Sequence, residues 1–134
     1  MRNAVVHGIE PAGERIELDK PGTGRISVSL KPAEDGKFEL ILRDDGRGLM
    51  PWRIRHALIR AQQYNEVQLN EFSDEQIIMK IFEPGFSTVI NPDRDAGHGV
   101  GMDIVKEKLM RLGAHLNIKT RENAFTQFRI RFTV

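Results

Sequence analysis

The apolar residues of this chain change period twice, and that change restricts the fold more than any other feature of the sequence. Ile26, Val28 and Leu30 alternate with Ser27, Ser29 and Lys31. Phe38, Leu40 and Leu42 alternate with Glu39 and Arg43, and Glu34-Asp35-Gly36-Lys37 lies between the two runs. Period two on both sides of a turn sequence predicts a β-hairpin with one buried face. From Pro51 the period becomes helical. Ile54, Ala57, Leu58 and Ala61 fall at i, i+3, i+4 and i+7, and proline suits a first helical turn. Ser73-Asp74-Glu75-Gln76 has the form of a capping box and is followed by the stripe Ile77, Ile78, Ile81 and Phe82. Met102, Val105, Leu109 and Leu112 share one face of a further helix, which Gly113 closes. Alternation then returns at Leu116 and Ile118, and again at Phe128, Ile130, Phe132 and Val134.

Ahead of the hairpin, Val5, Val6 and Ile9 have the spacing of a helix that begins before the chain does and ends at Gly8. The stretch 10–24, with Pro11, Gly13, Pro21, Gly22 and Gly24, reads as a surface connection holding one helical turn near Glu14 to Leu18. Between the third and fourth helices, residues 84–98 carry Pro84, Gly85, Pro92 and Gly97 without periodicity, which predicts a lid. The order is helix, two strands, two helices, lid, helix, two strands. Strands apolar on one side need helices on that side, so the expected class is α+β: a two-layer α/β sandwich, a mixed sheet with helices on one face. A doubly wound parallel fold would need strict alternation of strands and helices and strands apolar on both faces.

At 134 residues the chain is long enough for one self-sufficient domain, here 1–134. It has no cysteine, which fits a reducing compartment. Twenty basic against nineteen acidic residues, net +1, argue against a nucleic-acid binder and against an acidic tail, so any anionic ligand must be held by local geometry. No apolar run reaches the length of a membrane helix and the first residues lack a signal peptide's apolar stretch, so a cytoplasmic protein without membrane insertion is expected.

Three short constellations carry possible chemistry. Asp44-x-Gly46-x-Gly48 follows a strand and precedes a helix. Alone it is a tight turn; its functional reading is an acid held at a strand end to accept a base's amino proton, with two glycines that let the ring approach the backbone. Gly97-x-Gly99-x-Gly101 opens a helix, where free amides and the macrodipole favour an anion; the plain alternative is a loop joined to a helix. It is not the dinucleotide fingerprint, since its spacing is GxGxG and no strand runs into it, and no Walker sequence occurs. Asn3 and His7 lie four apart on one helix face. They are either an exposed amide and a last-turn cation, or a magnesium ligand and a group beside phosphates. Phe82 and Phe86 flank Glu83-Pro84-Gly85 and read as a hinge clamp for the lid.

Taken together, Arg-Asn-x-x-x-His-Gly-Ile-Glu at 2–10, Asp-Asp-Gly-x-Gly-Leu at 44–49, Ile-Phe-x-Pro-Gly-Phe-Ser-Thr at 81–88 and Gly-x-Gly-Val-Gly-Met-Asp-Ile-Val-Lys at 97–106 resemble the N, G1, F and G2 boxes of the GHKL ATPase superfamily. Their wording is similar to the ATP-binding domain of CheA-type chemotaxis histidine kinases, and the resemblance spans essentially the whole chain. It implies a Bergerat fold that binds ATP and Mg²⁺. Asn3 would be the metal ligand, His7 a catalytic neighbour of the phosphates and Asp44 the adenine-reading acid. Gly46 and Gly48 would form the adenine loop. Gly97, Gly99, Val100, Gly101 and Met102 would form the phosphate loop, with Phe82, Phe86 and Thr126 also at the nucleotide. The γ-phosphate would pass to a histidine on a separate phosphotransfer domain and on to a response regulator. A CheW-type coupling protein and a receptor would join through domains not present here.

Three departures shape the expectation. The family's further His or acidic residue one turn ahead of the Asn would precede Met1, so an N-terminally truncated version is expected, with weak nucleotide binding, little kinase activity alone and an exposed apolar face able to drive a homodimer. The dimerisation, phosphoacceptor and coupling domains are absent. The family's Gly-rich final turn reads Glu122-Asn123-Ala124-Phe125-Thr126, which is bulkier. The rival readings are a degenerate, non-catalytic interaction module of the same fold and a free-standing anti-sigma-type kinase, the second disfavoured by the long 10–24 connection.

Overall fold

The computed structural model describes residues 8–83 and 102–133. The expected lid, and all but the end of the expected N-terminal helix, lie outside the described residues. Two compact units result, one built from the chain through Leu49 and from Leu112 onward, the other from Met50 to Arg111.

The first unit holds the short helix α1 (Ala12–Glu17) and the strands β1 (Ile26–Pro32), β2 (Lys37–Asp44), β3 (His115–Arg121) and β4 (Phe125–Thr133). They form one sheet in the order β1-β2-β4-β3. All three pairings are antiparallel, so the mixed sheet expected from sequence is corrected for the described residues. The reason is local connection: β1 and β2 are joined through a tight turn with Asp35 at φ 60°, β3 and β4 through one with Asn123 at φ 58°, and the two hairpins meet along β2 and β4.

Register explains why the hairpins join there. Phe38 faces Phe132, Leu40 faces Ile130 and Leu42 faces Phe128, so the apolar residues of both hairpins gather on one side. The Phe38 and Phe132 rings stack with centroids 6.1 Å apart. On the other side Glu39 is enclosed by two arginines, with Arg129 Nε at 2.6 Å and Arg131 Nε at 3.7 Å. The expected buried face fails at β1: Val28 and Leu30 share the apolar side but remain 53% and 61% exposed. Among the described residues β1 has a strand neighbour on one side only, so alternation places its side chains correctly without covering them.

The second unit is helical. α2 (Pro51–Arg60) starts on Pro51 and buries Ile54, Ala57 and Leu58, as its periodicity predicts. α4 (Asp74–Met79) begins with the expected capping box: Ser73 accepts from the Gln76 amide and Gln76 from the Ser73 amide. A 3-10 turn, Lys80–Phe82, continues it and buries Ile81 and Phe82. Between α2 and α4 lies α3 (Glu66–Asn70), absent from the sequence reading, with its own capping box between Asn65 and Gln68. The last helix, α5 (Met102–Arg111), stops one residue before Leu112, which is 71% exposed and leaves the expected apolar stripe. Among the described residues no helix is long and apolar enough to cross a membrane.

Candidate functional site

Asp44 is the last residue of β2 and sits on the sheet's apolar side, between Ile26 of β1 and Thr126 of β4 in the register. Its side chain is therefore buried at the sheet's end. Oδ1 accepts the Gly46 amide at 2.9 Å. Among the described residues no donor reaches Oδ2. Burial raises the Asp44 pKa above the ordinary aspartate value; the Gly46 amide and Lys20 oppose that rise, while the charges of Asp45 and Glu10 add to it. A buried carboxylate with an open lone pair is costly by itself and is ready for a hydrogen-bond donor.

Two hydroxyls stand beside it. Thr120 Oγ1 accepts the Leu49 amide at 2.7 Å and donates to the Phe125 carbonyl at 3.0 Å. Its single proton is thereby committed, so Thr126 is the donor in the 3.4 Å contact between the two hydroxyls. Thr126 stands across from Asp44 in the register, on the same side of the sheet.

The glycines of the turn are required by the protein's own backbone. A Cβ at Gly46 would meet the carbonyl of Gly8, and a Cβ at Gly48, whose φ is +76°, would meet the carbonyl of Arg121. Their lack of side chains admits two other stretches of backbone. Arg47 ties both down: its amide donates to the Gly8 carbonyl at 2.8 Å, and its carbonyl accepts the Asn123 amide at 2.8 Å. The bulkier final turn, 122–124, is thus docked on the Asp44 turn, with Asn123 taking the left-handed conformation a glycine would otherwise supply.

Beneath the turn lies a charged cluster that sequence reasoning missed. Arg15, on α1, is fully buried. Its Nη1 donates to Glu10 Oε1 at 3.1 Å and to the Asp45 carbonyl at 3.2 Å, its Nη2 to Asp45 Oδ2 at 2.8 Å, and its Nε to the Pro21 carbonyl at 2.8 Å. Lys20 Nζ donates to Glu10 Oε2 at 2.6 Å and to the carbonyls of Asp45 and Gly46, each at 2.9 Å. The Arg25 amide completes the cluster on Asp45 Oδ1 at 2.8 Å. Burial alone would raise the pKa of Glu10 and of Asp45. Lys20 bonding to Glu10, and the Arg25 amide with Arg15 bonding to Asp45, outweigh it and hold both below the usual carboxylate values. The 10–25 connection is exposed over most of its length, as expected of a surface excursion, and through Glu10, Arg15 and Lys20 it also braces the turn. The members of the cluster run from Glu10 to Asp45 with the whole β1–β2 hairpin between them, and no spacing rule links them.

The structure brings Asp44, Gly46, Gly48 and Thr126 together in the sheet unit. Phe82 belongs to the helical unit, buried in the 3-10 turn with Lys106 Nζ 5.9 Å from its ring centroid. Met102 opens α5. Asn3, His7, Phe86, Gly97, Gly99, Val100 and Gly101 lie outside the described residues. The donor set fits an exocyclic amino group at Asp44; for a metal ion, no cluster of three or more His, Asp or Glu occurs among the described residues.

An antiparallel sheet ending in a buried acid and a glycine turn, together with a helical unit, places the chain in the α+β class. This chain belongs to the histidine kinase-, DNA gyrase B-, and HSP90-like ATPase family, whose model matches residues 1–134. It is 40% identical over 121 residues to the gliding motility regulatory protein of Myxococcus xanthus, covering 90% of this chain and 15% of that protein. It is 36% identical over 131 residues to the chemotaxis protein CheA of Bacillus subtilis, covering 97% of this chain and 19% of that one. The chain thus spans less than a fifth of these curated relatives. Among solved structures, the histidine kinase domain of the Erythrobacter litoralis EL346 blue-light activated kinase aligns at a TM-score of 0.49 and 15% identity, over 97% of this chain and 40% of its own.

Proposed function

We propose that this chain is the ATP- and Mg²⁺-binding domain of a chemotaxis-type histidine kinase, supplying the γ-phosphate of ATP for transfer to a histidine on a separate phosphotransfer domain. The observation that carries the reading is Asp44. It is a buried strand-end carboxylate with one oxygen bound to its own turn and the other met by no donor among the described residues, in a chain from a family of ATPases. Adenine offers an amino donor where guanine offers a carbonyl oxygen, so the same acceptor selects one purine over the other. Asn3 is assigned to the metal and His7 to the phosphates' edge. Gly97, Gly99, Val100, Gly101 and Met102 are assigned to the phosphate loop, and Phe82 and Phe86 to the lid's hinge. Chemistry in such a domain is positioning and charge stabilisation of a transferring phosphoryl group. A response regulator would receive the phosphoryl group downstream, in the cytoplasm, and a CheW-type coupling protein would act through other domains of the relatives' kind.

Isothermal titration with ADP and Mg²⁺ tests the reading. Wild type should bind, Asp44→Ala should bind about ten- to a hundredfold more weakly, since a hydrogen bond to a charged acceptor contributes about 1.5–3 kcal/mol, and GDP should bind wild type poorly. Absence of heat with millimolar nucleotide, or equal affinity for ADP and GDP, would refute it.

A further inference from the structure

We infer that Lys20 is a positioning residue for the adenine-reading carboxylate, acting through two consecutive peptide planes; this rests on the reading of Asp44 as the base's acceptor. A trans peptide is planar, with its carbonyl and its amide pointing in opposite directions, and no peptide bond of the described chain is cis. Lys20 Nζ holds the carbonyl of Asp45 at 2.9 Å, so the amide of the same peptide, Gly46 N–H, points the opposite way, at Asp44 Oδ1. Lys20 Nζ also holds the carbonyl of Gly46 at 2.9 Å, and the amide of that peptide, Arg47 N–H, points at the Gly8 carbonyl. One ammonium therefore fixes both peptides of the turn. The first peptide fixes which Asp44 oxygen is occupied and which is open. Gly46 has no side chain to hold its own backbone, so this orientation has to be imposed from outside the turn.

Lys20 is itself pinned by Glu10 Oε2 at 2.6 Å, and Glu10 by Arg15, so the ammonium is not free to leave. Arg15 shares the Asp45 carbonyl but does not reach Gly46, which leaves the second peptide to Lys20. Among the described residues, the charges that act on Asp44 are Asp45, Glu10 and Lys20; the first two favour its protonated form and Lys20 opposes it. Removing the ammonium therefore both loosens the turn and makes Asp44 easier to protonate.

The test replaces Lys20 with methionine, which keeps the stem, and reads three quantities in the intact chain. Lys20→Met should bind ADP with Mg²⁺ about tenfold more weakly, equivalent to roughly 1.4 kcal/mol. The acid limb of its binding-versus-pH curve should begin at a higher pH than in wild type. Hydrogen exchange at the Gly46 and Arg47 amides should accelerate while the Ile54 and Leu58 amides of α2 stay protected. Should Lys20→Met fail to fold, Lys20→Gln removes the charge, keeps a donor and is measured in the same way. Unchanged affinity with an unmoved acid limb, or unchanged Gly46 exchange, overturns the assignment. If wild type itself does not bind nucleotide, the ATP-site reading fails, and Gly46 exchange alone decides the positioning role.

Discussion

Asp44 and Asp45 are neighbours in sequence and opposites in setting. Asp44 points to the apolar side of the sheet, has one oxygen that no donor among the described residues meets, and has its pKa raised by burial. Asp45 turns into the charged brace, where the Arg25 amide and the Arg15 guanidinium occupy both its oxygens and lower its pKa against the effect of burial. Alternation at the end of a strand sends successive side chains to opposite sides, so a pair of aspartates there delivers one acid for a ligand and one for the fold. The carboxylate to suspect is the one whose second oxygen the described residues leave without a donor.

The largest test of this contrast removes the brace. Arg15→Met leaves the buried Glu10 carboxylate without its guanidinium and frees Asp45, which should cost about 3–5 kcal/mol in urea unfolding; a loss below one would mean that Arg15 carries little of the structure. Gly48→Ala comes next, because alanine there must hold φ +76° against the Arg121 carbonyl, and it should destabilise by more than about 1 kcal/mol. A change at Gly48 without loss of stability would return the glycine to the role of admitting a base.

Acid pH sharpens the contrast without mutation. Glu10 and Asp45 have folded pKa values below their unfolded ones, so their stabilisation is present above the ordinary carboxylate range and disappears as pH falls through the folded values. Asp44 has the opposite sign: its contribution is complete below the ordinary aspartate value and is lost as pH rises through its raised one. Stability followed by thermal unfolding should thus fall at low pH in wild type, and less steeply in Glu10→Gln. The smallest effect belongs to the half-exposed Arg55–Asp74 pair on the helical unit, 2.8 Å apart, whose removal should cost less than about 1 kcal/mol.

Much of the fold was legible because it follows periodicity and capping. The hairpin of β1 and β2, the proline start of α2 and the Ser73 box are all written locally. α3 carries the same kind of box at Asn65 and Gln68 but buries only Leu69 and leaves Val67 exposed, so no apolar stripe announces it. Burial at β1 was misjudged because alternation gives the side a residue faces, not what covers it. At the site, the strand-end setting of Asp44 was legible from alternation, whereas the backbone that packs against Gly46 and Gly48 comes from stretches distant in sequence and no motif announces it. Glu10, Arg15, Lys20 and Asp45 were not legible at all, since charged residues distant in sequence look solvated until the fold brings them together.

The central claim is that Asp44 is kept for a ligand at some expense to the fold, and Asp44→Asn measures both halves at once. Asparagine keeps an oxygen for the Gly46 amide, removes the buried charge and can turn only a donor toward adenine's amino group. Melting with and without ADP and Mg²⁺ should show the unliganded variant at or above wild type at neutral pH. Nucleotide at a hundred times its dissociation constant should add about 2.7 kcal/mol to wild type and almost nothing to the variant. An Asp44→Asn protein that melts well below wild type and is stabilised equally by nucleotide would contradict the account.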